Sequence, residues 1–509
     1  MTPALNNWRS GEARHGADVD PWEEPSGADP ERVRRFKDPI HDYIPLGSLI
    51  CSVIDTKQFQ RLRHIKQLGT SYYVWPGASH NRFEHCLGVA YLAQTMAEHL
   101  QKTQPELGIT DDEILWVTIA GLCHDLGHGP WSHVWDGLFI PQALWVLSDI
   151  VMLSTILNHL TSSPGRPWKH EDASMMMFDE LIKENKIEIS EPEAAFIKSL
   201  IIGEPLPTVD PAKRFLYEIV ANKRNGLDVD KFDYIARDTR AVDQQGNLSL
   251  TRLIHSARVI DHQICFDIKD ANQIYELCYT RFSLHKRIYN HRTAKAIEYM
   301  IIDALLAAEP YMQIAHQIYD PKRYVYLTDD IKTRIEATTQ PELEEARRIF
   351  DRINTRDLYK LVDYKVFKWS QKGICQQYIT PKSIVEAAKG LTVGPNMADL
   401  DPKHVIVDLS PMHYGMGNQN PLSSVKFYSK RNPNRCQPAG PGDFSTLMPA
   451  EFGEIQLYIY TRESRFQGII QAGYRKVVEG LNAMLLEQSG SRPLGSSEVW
   501  TRPIGATFY

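Results

Sequence analysis

Apolar residues recur at helical spacing through most of the chain from Phe36 to Leu306, which predicts a mainly helical stretch. Asn81 followed by Glu84, and Thr110 followed by Glu113, have the spacing that satisfies the free N–H groups of a helix start. The second pair opens EILWVTIAGLCHDLGHG, apolar on nearly every side, the pattern of a helix buried at a domain centre. That helix should end at Gly127-His128-Gly129-Pro130. Further helices are predicted over 171–186, 191–203, 212–222, 228–237, 249–258 and 271–308. Beyond residue 310 the period changes. Tyr319–Leu327, Val405–Leu409, Lys426–Lys430 and Gln456–Tyr460 read as short strands among helices at 328–337, 341–352 and 466–487. The expected fold is mainly α: a helical domain over 34–310, then a smaller mixed α/β lobe over 311–487.

The flanks are different. Residues 1–33 are polar and rich in Gly, Pro, Asp and Glu, and are expected to be a disordered arm without the apolar core of a signal peptide. Residues 488–509 are expected to be a loose tail. RVRRFK (32–37) reads as a solvated boundary segment and only a weak nuclear-import signal. One apolar stretch, ALWVLSDIVMLSTILNHL (143–160), carries Asp149, Asn158 and His159, and is short for a membrane span.

Composition narrows the function. The net charge is −6 and the pI about 6.3, which argues against a surface built throughout for nucleic acid, though not against a local basic site. Seven cysteines without a C-x-x-C pair argue for a reducing compartment and against a disulfide framework or a cysteine zinc site.

The candidate chemistry lies in the histidines. His64, His80, His85, His99, His124, His128 and His133 crowd one window. A buried carboxylate costs several kcal/mol unless it is paired or ligates a metal, so His124-Asp125 at the end of a buried helix stands out. His85 on the preceding helix, Asp230 in GLDVDKFDY, and the H-G-P-x-S-H run after His124-Asp125 complete the pattern. Imidazole and carboxylate ligands suit Zn, Fe or Mn, which lower the pKa of a bound water towards about 7.

The motifs DPIHDYI, IDTKQFQRLRHIKQLG, YYVWPGASHNRFEHCLGVAYLA, IAGLCHDLGHGPWSH, FLYEIVANKRNGLDVDKFDYIARD and LHKRIYNH give Phe36–Tyr311 a close resemblance to the HD-domain deoxynucleoside triphosphate triphosphohydrolases. Their animal members also carry a sterile-alpha-motif domain, which nothing here resembles. A weaker likeness continues to about Leu486. The resemblance implies a helical HD domain and a dNTP cut to deoxynucleoside and triphosphate. It also implies one transition metal on His85, His124, Asp125 and Asp230, with Mg on the nucleotide phosphates. His128, His133 and His170 then line the reaction centre, with His170 catalytic and Asp136 placed to orient His133. Arg82, Lys231 and Arg281 match phosphate-binding cations. Tyr234 and Asp238 match residues against the sugar, and Gln67, Leu68 and Tyr289 match further substrate contacts.

The same resemblance implies GTP and dNTP activators bound between subunits of a homotetramer, and a nuclear location. Asp55, Gln60 and Arg63 match the guanine-reading site, with Arg34 and Arg35 available for phosphates. Val74, Arg252, Lys269, His291, Arg292, Arg347 and Arg462 fall on a second, deoxynucleotide activator site. Asp267 and Asp351 stand there where bases are expected, and Ser256 where an aromatic is. Of the family's redox cysteines only Cys265 is kept, with Ile260 and Thr461 at other positions. The segment 142–163 is an insertion, read as a retained intron in preference to a lid because an exposed apolar segment is a liability. Two other readings stay open: an HD phosphodiesterase on cyclic nucleotide or RNA, and a nucleic-acid-binding module with weak single-strand affinity.

Overall fold

The computed structural model describes residues 33–149, 168–244, 248–391, 398–440 and 442–488. Most of the arm, residues 150–167 with most of the 142–163 insertion, and the tail after 488 lie outside the described residues. The chain is mainly α, with small sheets.

Helices Arg82–Thr103 and Asp111–Cys123 pack side by side at the centre. Both predicted starts are formed, with Asn81 and Glu84, and Thr110 and Glu113, each exchanging side-chain and backbone hydrogen bonds. Gly121 permits the close approach, since a Cβ there would lie 3.1 Å from the Ala93 Cβ. Helices Val229–Ala241, Ala271–Leu284 and Arg292–Met312 complete the core.

Two expectations are corrected, and some strands were not anticipated. The stretch before Leu306 is not helical throughout: Arg34–Asp38 and Asp42–Leu46 pair as a hairpin, and Arg258–Ile260 pairs with Gln263–Asp267. The 271–308 helix is two helices, separated by a wide π turn at His285–Tyr289 and by His291, whose side chain caps the second. Tyr319–Leu327 is not a strand. Asp320 accepts from the Lys322 N–H at 3.0 Å, and Pro321 takes the first helical position, so a short helix forms at Pro321–Tyr324. Strand Lys360–Lys368 was not anticipated. It flanks a three-stranded antiparallel sheet centred on Gly453–Thr461, with Val405–His413 on the other side.

That sheet and helices Pro381–Lys389 and Gln467–Gln488 enclose a second core around Ile384, Leu457, Ile459 and Ile470. The main core, however, runs from Ile44 through Tyr324 and Phe350 to Tyr460, continuous across residue 310. Gln263–Asp267 also pairs in parallel with Lys426–Ser429, tying the helical part to the lobe.

Candidate metal centre and active site

Three elements deliver the expected donors. His85 sits one turn into Arg82–Thr103, His124-Asp125 follow directly on Asp111–Cys123, and Asp230 lies in the first turn of Val229–Ala241. His85 Nε2 is 3.2 Å from Asp230 Oδ1 and 3.6 Å from Asp125 Oδ2, and His124 Nε2 is 3.4 Å from a carboxylate oxygen of each aspartate. The ring orientation fits a metal. His85 Nδ1 donates to Asp233 at 2.8 Å and His124 Nδ1 to the Gly121 carbonyl at 2.8 Å, which turns both Nε2 atoms to the common centre. His124 Nε2 is buried and has no hydrogen-bond partner among the described residues, as an unsatisfied ligand atom should be. Burial opposes charge on His85, but Asp230 and Asp233 outweigh it and raise its pKa to about 10. Asp125 is held well below the usual carboxylate range against its burial, by Arg82 first and by His124 and His128.

A second group abuts this one. His128, His133, Asp136 and His170 lie within ligand distance of one another, but the His128 and His170 rings stack in parallel, 3.8 Å apart at 18°. Parallel stacking does not converge those two ring nitrogens on one ion. Asp136 was expected to orient His133, which lies 3.6 Å from its Oδ1, but the hydrogen bond it makes is with His170, whose Nδ1 donates to its Oδ2 at 2.5 Å. The two stacked rings are driven apart in pKa. Burial, Arg82 and His170 push His128 well below its ordinary value. Burial also opposes charge on His170, but the hydrogen bond and charge of Asp136 overcome it and raise the pKa.

The expected substrate residues surround these groups. Arg82 Nε donates to Ser132 Oγ at 2.9 Å and Nη1 pairs with Asp125. Lys231 binds Asp228, its own helix cap, at 3.0 Å. Arg281 Nη1 donates to the His413 carbonyl at 2.9 Å, and its buried Nε has no partner among the described residues. Asp238 accepts from Tyr289 Oη at 2.5 Å and meets His80 Nε2 at 2.6 Å, and the Tyr234 ring lies 6.5 Å from His85. Gln67 holds the His80 carbonyl through its backbone N–H and keeps a buried, unpartnered Oε1, beside half-buried Leu68. Sequence reasoning missed His80 and Asp233. Asp233 also binds Arg237 and His41, and lies one turn beyond Asp230, a spacing that could have flagged it.

The expected activator residues form two situations. Arg34 binds Asp55 through two bonds of 2.7 Å, Gln60 donates to the Ile54 carbonyl, and Arg63 donates to Gln60 at 2.8 Å, so these four share one surface; Arg35 is exposed on the neighbouring strand position. The second set is not gathered. Arg252, Ser256, Asp267 and Lys269 line one open cavity of about 550 Å³, Arg462 lines another and is bound to Asp303, and Arg347 holds the Gln340 carbonyl. His291 packs edge-on to Trp75, next to Val74, and precedes Arg292. Asp267 caps its own turn at the Lys269 N–H, and Asp351 is exposed on helix Glu344–Asn354.

A helical core joining a histidine, a following His-Asp pair and a later aspartate defines an HD-domain protein. Residues 82–193 match the HD domain and residues 248–422 the HD associated region. The chain is 40% identical over 466 residues to human deoxynucleoside triphosphate triphosphohydrolase SAMHD1, covering 85% of this chain and 71% of that protein. Identity to the Gallus gallus protein of that name is 40% over 84% of this chain and 72% of the relative. Identity to the Dictyostelium discoideum homolog is 37% over 88% and 81%. The chain belongs to the SAMHD1 family of deoxynucleoside triphosphate triphosphohydrolases.

Proposed function

We propose that this chain hydrolyses deoxynucleoside triphosphates to deoxynucleoside and triphosphate, lowering dNTP pools. The observation that carries this is the adjacency of two differently poised groups: His85, His124 and Asp125 gathered within ligand distance with Asp230 beside the two imidazoles, and next to them a His170–Asp136 pair stacked on His128. His85, His124, Asp125 and Asp230 would hold a transition metal, which when bound would supply Lewis acidity and lower the pKa of water. The oxygen of a water forms the new bond to the α-phosphorus and gives up a proton to solvent as the bond from phosphorus to the 5′ oxygen breaks, and His170 gives that leaving oxygen its proton while Asp136 holds the imidazolium. Arg82, Lys231 and Arg281 take the phosphate charge together with Mg. Asp238 accepts from the 3′-hydroxyl, and Tyr234 crowds the 2′ position. Asp238 is buried and already engaged by His80 and Tyr289, which weighs against a 3′-phosphodiester substrate.

GTP at Arg34, Arg35, Asp55, Gln60 and Arg63, and a dNTP at the second set, activate a homotetramer in this reading. The scatter of the second set over one chain supports an inter-subunit location. Among the described residues no helix is long and apolar enough to cross a membrane, and we place the protein in the nucleus on family likeness. Single-stranded nucleic acid is at most a weak ligand. The test is product analysis with dATP, Mg and Mn, with and without GTP. Deoxyadenosine plus intact triphosphate, enhanced by GTP, is expected. Turnover without GTP dependence removes the activator assignment, and no dNTP turnover with metal bound removes the reaction.

A further inference from the structure

The loop from Leu126 to Ser132 carries His128 yet has no helix or strand to satisfy its backbone. Buried carbonyls left without donors are costly, and three here find donors from far along the chain. Arg61 Nη1 donates to the Leu126 carbonyl at 2.9 Å and Nη2 to that of His128 at 2.8 Å. Tyr324 Oη donates to the Gly127 carbonyl at 2.6 Å. The loop is also bent: Trp131 and Ser132 hold φ of 53° and 58°, a left-handed conformation that non-glycine residues rarely adopt unless the surroundings enforce it. Asp329 supplies the enforcement, accepting from the Trp131 N–H at 2.7 Å and the Lys66 N–H at 3.0 Å.

Arg61 itself is anomalous. It is buried, forms no ion pair among the described residues, and spends its guanidinium on backbone carbonyls, the third being that of Leu327 at 2.8 Å. Its charge rests on carbonyl dipoles, on the face of Tyr324, 4.8 Å away, and on the field of the nearby Asp329 carboxylate. A buried cation with no carboxylate in direct contact is expensive, and packing alone could be met by an apolar residue.

We propose that Arg61, Tyr324 and Asp329 are positioning residues that clamp the 126–132 loop and so set His128 against His170 for the hydrolysis proposed above, on which this inference rests. Arg61 stands next to Gln60, so the clamp also joins the 57–64 segment to the catalytic loop through one side chain.

The test uses the full chain with Tyr324→Phe, which removes one hydroxyl, and Arg61→Lys, which keeps the charge but cannot reach several carbonyls with a planar fork. Each is assayed for metal content, melting temperature, kcat and KM for dATP, and amide hydrogen exchange. Metal content and KM should stay within about twofold of wild type, while kcat falls about 10- to 100-fold, the scale of a misplaced catalytic group. Exchange should quicken in the peptide covering 126–132 and not in that covering 82–103. Unchanged kcat, or unchanged exchange at 126–132, overturns the clamp, as does a loss of kcat matched by metal loss. Should Arg61→Lys not fold, Tyr324→Phe decides alone. Should wild type turn over no dNTP, the reaction falls, and the exchange result still decides the clamp.

Discussion

Replacing Asp136 by Asn separates the two roles of the histidine cluster. The change keeps the size of the side chain and leaves the four metal donors untouched. It removes the charge that accepts from His170 Nδ1 at 2.5 Å in a buried setting. A hydrogen bond to a charged group contributes about 1.5–3 kcal/mol, and each 1.36 kcal/mol is tenfold in rate, so kcat should fall roughly 10- to 150-fold. The pH dependence has a definite sign. Burial lowers the His170 pKa, and Asp136 more than restores it. Without that charge the pKa drops, the protonated donor is lost sooner as pH rises, and the alkaline limb of kcat moves to lower pH. The assay is kcat for saturating dATP across pH 5.5–9, with metal content measured on the same samples. A kcat within about twofold of wild type and an unmoved alkaline limb, at full metal occupancy, would refute the proton-donor assignment of His170.

Asp233→Asn should weaken metal binding about 10- to 100-fold by freeing His85 Nδ1, read by competition with a chelating dye. Chelation should abolish dATP turnover, and adding back Mn or Fe should restore it, whereas Mg alone should not. Tyr234→Ala should narrow the preference for dATP over ATP by roughly tenfold or more, measured as the ratio of kcat/KM. Glu309, whose carboxylate accepts from the Ala315 N–H, is raised by burial to about 7, against 4.5 for an ordinary glutamate. The folded state therefore binds the extra proton, and this stability is full below about 4.5 and is lost as pH rises through about 7. Glu309→Gln should flatten the fall in melting temperature between pH 5 and 8, and an unchanged slope would contradict this.

The grouping of His85, His124 and Asp125 was legible because it comes in short-range signals: His124 and Asp125 are adjacent, and each residue lies at a helix end marked by a cap or a glycine. The helix starts at Asn81 and Thr110 were legible for the same reason. The clamp was not, since Arg61 and Tyr324 bind backbone carbonyls, which every loop presents whatever its side chains. Asp329 likewise meets only backbone N–H groups from distant segments. The run at Tyr319–Leu327 has the aromatic and β-branched composition of a strand, and the local cap at Asp320-Pro321 won over it. The break after Leu284 left no mark because His285–Tyr289 contains no glycine or proline and keeps its apolar spacing. Asp136 was assigned to the nearer histidine in sequence, while the partner it meets in space is 34 residues away.

The parallel pairing of Gln263–Asp267 with Lys426–Ser429 has a consequence for synthesis. As the chain leaves the ribosome, the strand that will flank the catalytic half emerges long before its partner, and Tyr460 of the main core emerges later still. The nascent helical part therefore waits, with core surface uncovered, until nearly the whole polypeptide has been translated, so chaperone demand should be high. A message truncated after residue 310 should yield insoluble product and not a smaller working enzyme.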